Sequence, residues 1–166
     1  MHESSKFQQS CPFCFPDTQR NAFASSGSFL AIYNKAPILP GHSLIIPRKH
    51  FESLRSLPDD LIQEFFLFAR KVTEALLGYF HADAFDWSIQ DNEAAGQTIP
   101  HLHLHILIRH SADLPEPGAW YPLLDAQKNA GSEARPKLSE SEYSEISGQL
   151  KSAYNLRMTK QNSELI

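Results

Sequence analysis

The sequence has few long apolar runs. No stretch approaches the ~18–20 apolar residues that a membrane-spanning helix needs, and the opening MHESSKFQQS lacks the apolar centre of a secretory leader. A cytoplasmic protein with no membrane partner is expected. Positive charge is also short: 15 Lys and Arg against 19 Asp and Glu leave a net charge of -4 and a pI near 6.0. Without a broad basic surface, extended binding along a nucleic-acid backbone is disfavoured, and any anionic ligand has to be held locally. There is no internal repeat and no low-complexity tract. Cysteine is scarce, two residues in one Cys11-Pro-Phe-Cys14 unit. In a reducing compartment that spacing favours metal ligation or redox chemistry over a structural disulfide, with a pair of incidental thiols as the bland alternative.

What is present suffices for a core. Apolar residues make up 42% and charged residues 20% of 166, the proportions of one globular domain spanning 1–166. After a flexible start over 1–10, SFLAIYN (28–34) and HSLIIPR (42–48) read as strands joined by the turn APILPG. Ser56, Pro58 and Asp59 form a helix start, and Leu61, Phe65, Phe68, Val72, Leu76 and Tyr79 recur at the three- and four-residue intervals of a helix over 60–79. FDWSIQDN (85–92) is a further strand and 92–97 a turn containing Gly96; HLHLHILI (101–108) is a strand with strict alternation. The stretch 111–137, with Pro115, Pro117, Pro122 and Pro136, reads as an irregular loop. Tyr143, Ile146, Leu150 and Tyr154 then mark a helix over about 139–155, followed by a polar tail. Sequential strands with helices set apart imply an α+β fold around an antiparallel sheet.

Three of the eight histidines, His101, His103 and His105, occupy alternate positions of one strand. They share a face, while Leu102, Leu104 and Ile106 pack on the other. One zinc ion cannot take all three, because the outer α-carbons of such a row lie ~13 Å apart and zinc donors must each lie ~2.0–2.1 Å from the metal. A row of imidazoles suits an elongated anion, with one ring as nucleophile and another donating hydrogen bonds. A polar strand face open to solvent is the alternative.

GQTIPHLHLHILIR resembles the signature of the histidine triad (HIT) family, His-φ-His-φ-His-φ-φ with φ apolar. A second block, FLAIYNKAPILPGHSLIIPRKHFESLRSLPDD (29–60), is similar to the family's N-terminal strand, Pro-Gly-His turn and following strand. With SIQDNEAAGQT the resemblance covers about residues 11–110 and leans toward the fragile-histidine-triad branch of dinucleoside polyphosphate hydrolases. It implies an antiparallel sheet of about five strands with two main helices. It also implies hydrolysis or transfer at a nucleotide α-phosphate through a nucleotidyl-histidine intermediate.

By that resemblance His103 attacks phosphorus, His105 and Thr98 hold phosphate oxygens, and Gln90 and Gln97 orient the phosphate or leaving group. Asn34 meets the ribose and His42 supports the His103 ring from behind. Asn34 as a plain strand end and His42 as a core histidine on a carbonyl are the structural alternatives. Some members carry a zinc-binding cysteine pair, and the matching positions here are Cys11, Cys14, His50 and His101, a closed structural site; the competing reading is a redox CxxC. That branch as a rule lacks this site. The resemblance further implies a homodimer with Trp120 near the partner's site or against its own chain; whether Mg²⁺ or another divalent cation accompanies the substrate is left open by the sequence. Where relatives have a proline after the triad this chain has Ile108, which frees the strand to continue. Nucleoside phosphoramidate hydrolysis, phosphorolysis and a non-catalytic nucleotide-binding module are the rival functions.

Overall fold

The computed structural model describes residues 11–129 and 136–163; the expected flexible start at 1–10 lies outside them. A short helix α1 (Pro16–Arg20) leads into β1 (Ala24–Ser25), β2 (Phe29–Tyr33) and β3 (Ser43–Pro47). Next come a 3₁₀ turn (Leu54–Ser56), the long helix α2 (Asp59–Phe80) and β4 (Ala84–Ser88). A second 3₁₀ turn (Glu93–Ala95), β5 (Leu104–Arg109), α3 (Trp120–Asn129) and α4 (Glu140–Ser163) complete the chain. The five strands form one antiparallel sheet in the order β1-β2-β3-β5-β4. This is the expected α+β architecture.

Every residue of β2 and β3 is buried, because both faces of the sheet are covered. On one face Phe29, Ala31, Ile45, Leu104, Ile106 and Ile108 pack against Phe65, Phe68 and Leu76 of α2 and Tyr143 and Leu150 of α4. On the other, Leu30, Ile32, Leu44 and Ile46 pack against Cys11 and Phe13. Two-sided burial explains why these strands read as continuous apolar runs. Truncating a fully buried ring such as Phe65 would cost about 3–5 kcal/mol.

Several boundaries differ from the sequence reading. Helix α2 takes Pro58 as its N-cap, and Ser56 instead closes the preceding 3₁₀ turn. The strand expected over 85–92 stops at Ser88, and the chain enters the second 3₁₀ turn at Asn92, which has a positive φ, and leaves it at left-handed Gly96. The 111–137 stretch is not all loop: α3 occupies Trp120–Asn129, with Pro122 in its first turn, where a missing N–H costs no intrahelical bond. Trp120 is buried against Leu107 and Leu124 of its own chain. Helix α4 runs to Ser163 instead of ending near 155. Its start is a reciprocal cap, Ser139 Oγ accepting from the Glu142 amide and Glu142 accepting from the Ser139 amide. Its extension is held by Arg157 and Gln161, one turn apart, both reaching Glu74 of α2 at 2.9 and 3.2 Å. As the absence of proline suggested, β5 runs on through Ile108, which pairs with Phe85, to Arg109. Gly41 turns the chain into β3 at φ +88°, and a side chain there would meet Ile108 at 2.8 Å.

Candidate active site and metal centre

Regular pairing in β5 begins at Leu104, so His101 and His103 precede the strand proper. The alternation survives, because Leu102 and Leu104 fill the helix-side core. The three imidazoles lie beside the Cys11-Pro-Phe-Cys14 loop: Phe13 meets His101 and His103 edge-on at 5.6 and 5.4 Å. His103 and His105 are 4.9 Å apart, ring centre to ring centre.

The row divides at His101, whose side chain belongs to a second group. One donor atom from each of Cys11, Cys14, His50 and His101 lies within 4.8 Å of the other three. The sulfur to nitrogen distances are 3.4 Å for Cys11 to His101, 3.4 Å for Cys14 to His50 and 3.5 Å for Cys14 to His101. Bond lengths of about 2.3 Å to sulfur and 2.1 Å to nitrogen at a tetrahedral angle place such donors about 3.6 Å apart. The donors therefore have the spacing and chemistry of a four-coordinate zinc site. The His101 Nε2 proton is donated to the Pro47 carbonyl at 3.0 Å, which leaves the Nδ1 lone pair toward the sulfurs. Burial pushes the His101 imidazole down to about 4, with His50 and His103 adding to the shift against the Pro47 contact, so the ring is neutral at neutral pH. Burial, with Cys11 alongside, pushes the Cys14 thiol up to about 11. The Cys14 thiol therefore resists ionising unless a cation joins it.

His103 uses the other end of His101. Its Nδ1 is 2.7 Å from the His101 carbonyl oxygen, so Nδ1 carries the proton and the lone pair of the neutral ring sits on Nε2. The proton position of His105 follows from a longer relay. The Ile38 amide donates to His42 Nδ1 at 3.2 Å, which puts the His42 proton on Nε2. That nitrogen is 2.8 Å from His105 Nδ1, so His105 carries its own proton on Nε2. The two triad rings thus hold opposite tautomers, one presenting a lone pair and the other a donor. His42 is fully buried and its Nε2 contact orients the His105 ring. Asn34 stands 3.3 Å from His42 Nε2 and accepts from the Ala36 amide.

His103 and His105 line a cleft of about 410 Å³ together with Asn34, Gln90 and Thr98. Gln97 is not among the lining residues. Its side chain accepts from the Asn92 amide at 2.7 Å, donates to the Glu52 carbonyl at 2.9 Å and reaches the His101 carbonyl at 3.4 Å. It clamps the 92–97 turn to the segment carrying His50. Arg109 turns away into ion pairs with Asp86 and Asp113, which hold the Asp113 carboxyl at about 2. Among the described residues no Asp or Glu lines the cleft; Lys35 and Lys137 do. Phe13, Leu124, Lys137 and Tyr143 also line it and were not picked out from the sequence as site residues. Phe13 carries a signal, since it lies between the two cysteines, whereas Leu124 and Lys137 sit in a stretch whose local pattern gives none.

The HIT domain family matches residues 16–112. The chain is 39% identical over 112 residues to the asymmetrical bis(5'-nucleosyl)-tetraphosphatase of Schizosaccharomyces pombe, covering 68% of this chain and 60% of that protein. It is 34% identical over 109 residues to the bifunctional bis(5'-adenosyl)-triphosphatase/adenylylsulfatase of Arabidopsis thaliana, covering 66% and 61%. The match thus spans about three fifths of these curated relatives. A Zn-bound histidine triad family protein from Mycobacterium smegmatis has the same fold, with a TM-score of 0.69 at 24% identity over 92% of this chain and 99% of that one. With the family match covering more than half its length, the chain belongs to the HIT domain family.

Proposed function

We propose that the protein is a nucleotide hydrolase or nucleotidyltransferase that works at an α-phosphate through His103, with dinucleoside polyphosphates as its substrates. The observation that carries this reading is a pair of contacts in a cleft that no described carboxylate lines, the His103 Nδ1 contact of 2.7 Å and the His42 relay of 2.8 Å, from which opposite tautomers for the two rings are assigned. The names of the Schizosaccharomyces and Arabidopsis relatives support the substrate class.

In the first step the His103 Nε2 lone pair forms a bond to phosphorus in line with the departing phosphate, whose P–O bond breaks. Donation from His105 Nε2 and the Thr98 hydroxyl stabilises the charge growing on the equatorial oxygens. Gln90, buried and bonded to Ser88 at 2.6 Å, orients the leaving side, and Asn34 receives the ribose hydroxyls. Water then attacks phosphorus and gives up a proton to solvent as the P–N bond breaks, which releases the nucleoside monophosphate and returns the lone pair to His103 Nε2. Gln97 contributes indirectly, by holding the His101 carbonyl that fixes the His103 tautomer. A divalent cation taking part would arrive on the substrate's phosphates, since no described acid lines the cleft.

Cys11, Cys14, His50 and His101 would hold Zn²⁺ as a closed structural centre. Such an ion supplies cross-linking of two chain segments and no open coordination position. The same proposal takes the chain as one HIT-like domain in the cytoplasm, where its two thiols stay reduced. It also takes the chain as a homodimer. Support for the dimer is the sheet edge at β4, flanked by exposed Phe85, Phe66 and Leu67, an apolar border of the kind that pairs with a second copy.

The test is release of nucleoside monophosphate from a diadenosine polyphosphate, an adenosine phosphoramidate and a nucleotide-sugar by wild type and His103→Asn. Removing a covalent nucleophile costs about 10⁴- to 10⁶-fold in kcat, so polyphosphate turnover is expected to vanish while nucleotide binding persists. Equal hydrolysis by both proteins would refute the nucleophile. Binding without turnover by either would make the protein a nucleotide-binding module.

A further inference from the structure

Two cleft residues, Lys35 and Lys137, have no part in the chemistry above, and their place in the sheet says what they face. The phosphate under attack lies at the β5 histidines. Gln90, just past β4, and Thr98, in the loop entering β5, put the rest of the phosphate chain on the β4 side. In the opposite direction the floor is apolar, formed by Leu44, Ile32 and Phe13, as a nucleoside requires. Register pairs His105 with Leu44 and Leu44 with Ile32, so β2 is two strand spacings, about 9–10 Å, from the histidines. Lys35 follows Asn34 just past the end of β2.

Lys137 comes from outside the segment matched by the family, yet it is tied to the same spot, because the Leu138 amide donates to the Lys35 carbonyl at 2.8 Å. Lys35 is already committed: its ammonium bonds Glu140 at 2.6 Å and lies 5.0 Å over the Tyr143 ring. Among the described residues no carboxylate pairs with Lys137. A cationic side chain without a described carboxylate partner, at the sugar end of a cleft that no described acid lines, is more than the neutral hydroxyls of a ribose call for.

We infer that the sugar end of the cleft binds a ribose carrying its own 2′- or 3′-phosphate, with Lys137 as the residue that reads it and Lys35 beside it. The inference rests on the proposed function and adds to it a preference, among its nucleotide substrates, for those whose ribose carries a phosphate.

Calorimetric titration of the intact protein with adenosine 5′-monophosphate, adenosine 2′,5′- and 3′,5′-bisphosphates and adenosine 5′-diphosphate tests it. One bisphosphate is expected to bind at least about tenfold more tightly than the monophosphate, the scale of one well-placed charge pair. Lys137→Ala should shrink that ratio to about twofold or less, and Lys137→Arg should restore it. The diphosphate, whose extra group extends the 5′ chain, should keep its ratio to the monophosphate in both variants. Equal affinity for monophosphate and both bisphosphates in the wild type would overturn the inference, as would a Lys137→Ala effect that follows the 5′ chain instead of the ribose. Binding of none of the four would overturn the nucleotide reading itself.

Discussion

Replacing His42 with leucine removes the middle of the relay that sets the His105 proton while keeping an apolar side chain in a fully buried position. The substitution deprives two groups of their partners: the Ile38 amide, 3.2 Å from His42 Nδ1, and His105 Nδ1, 2.8 Å from His42 Nε2. A buried polar group left unmatched costs about 1–3 kcal/mol, and the new apolar contact returns part of it, so a net loss of about 2–4 kcal/mol is expected. For a chain of this size that corresponds to a Tm lower by about 5–12 °C, leaving the variant folded at room temperature. The catalytic effect is separate. Without the His42 donor the His105 proton can move to Nδ1, and a transition-state donor lost in this way is worth up to about 10²- to 10³-fold. Since the Nε2-protonated form is still visited, kcat should fall by about 10- to 100-fold with KM changed little. Steady-state kinetics on the folded variant and ¹⁵N spectra of the ring nitrogens read the two effects apart. Unchanged kcat, or a wild-type spectrum with the His105 proton on Nδ1, would refute the relay.

Cys14→Ser should lower bound zinc from about one ion per chain to well below that, measured by metal analysis, and remove the rise in Tm that added zinc gives the wild type. Fully folded, metal-free wild-type protein under reducing conditions would contradict the site. Asp113 has its carboxyl lowered from 3.8 to about 2 by Arg109, so its contribution is complete above pH 3.8 and is lost as pH falls through about 2. After solvent screening this amounts to roughly 1–2 kcal/mol, and Asp113→Asn should flatten the acid limb of the stability curve between those values while lowering the neutral-pH Tm. Gly41→Ala combines a φ of +88° with contact on Ile108 at 2.8 Å, for a loss of about 2–4 kcal/mol; in denaturant titrations, Ile108→Ala in the same chain should recover the steric part and not the backbone part.

Much of this was legible because it obeys short periodicities. The α2 helix followed from Leu61, Phe65, Phe68, Val72 and Leu76, and Asp59–Phe80 is within a residue of the 60–79 expectation. The alternation through 101–106 separated apolar from imidazole positions even where strand pairing had not begun. What escaped rests on contacts without a local pattern. The far half of α4 is held by polar reach from Arg157 and Gln161 to Glu74, not by apolar spacing. Helix α3 was hidden by Pro122, which breaks a helix interior but not its first turn. The partner of His42 depended on which ring lay opposite it across the sheet, and Gln97 on a carbonyl 45 residues away. Lys137 is brought to the cleft by one backbone bond to Lys35.

His101 also imposes an order in time. Its side chain meets cysteines 87 and 90 positions earlier, while its carbonyl sets the tautomer of the next histidine but one. Closing a loop of that length costs on the order of 4 kcal/mol of chain entropy, and non-local contacts of this kind form late. During synthesis the cysteine loop emerges first and must wait for nearly 90 further residues before its partner exists. The nucleophile is therefore expected to be set only when the two ends of the sheet-forming segment have been joined, so that folding intermediates in which the cysteine loop has not yet met His101 lack the fixed His103 proton that attack requires.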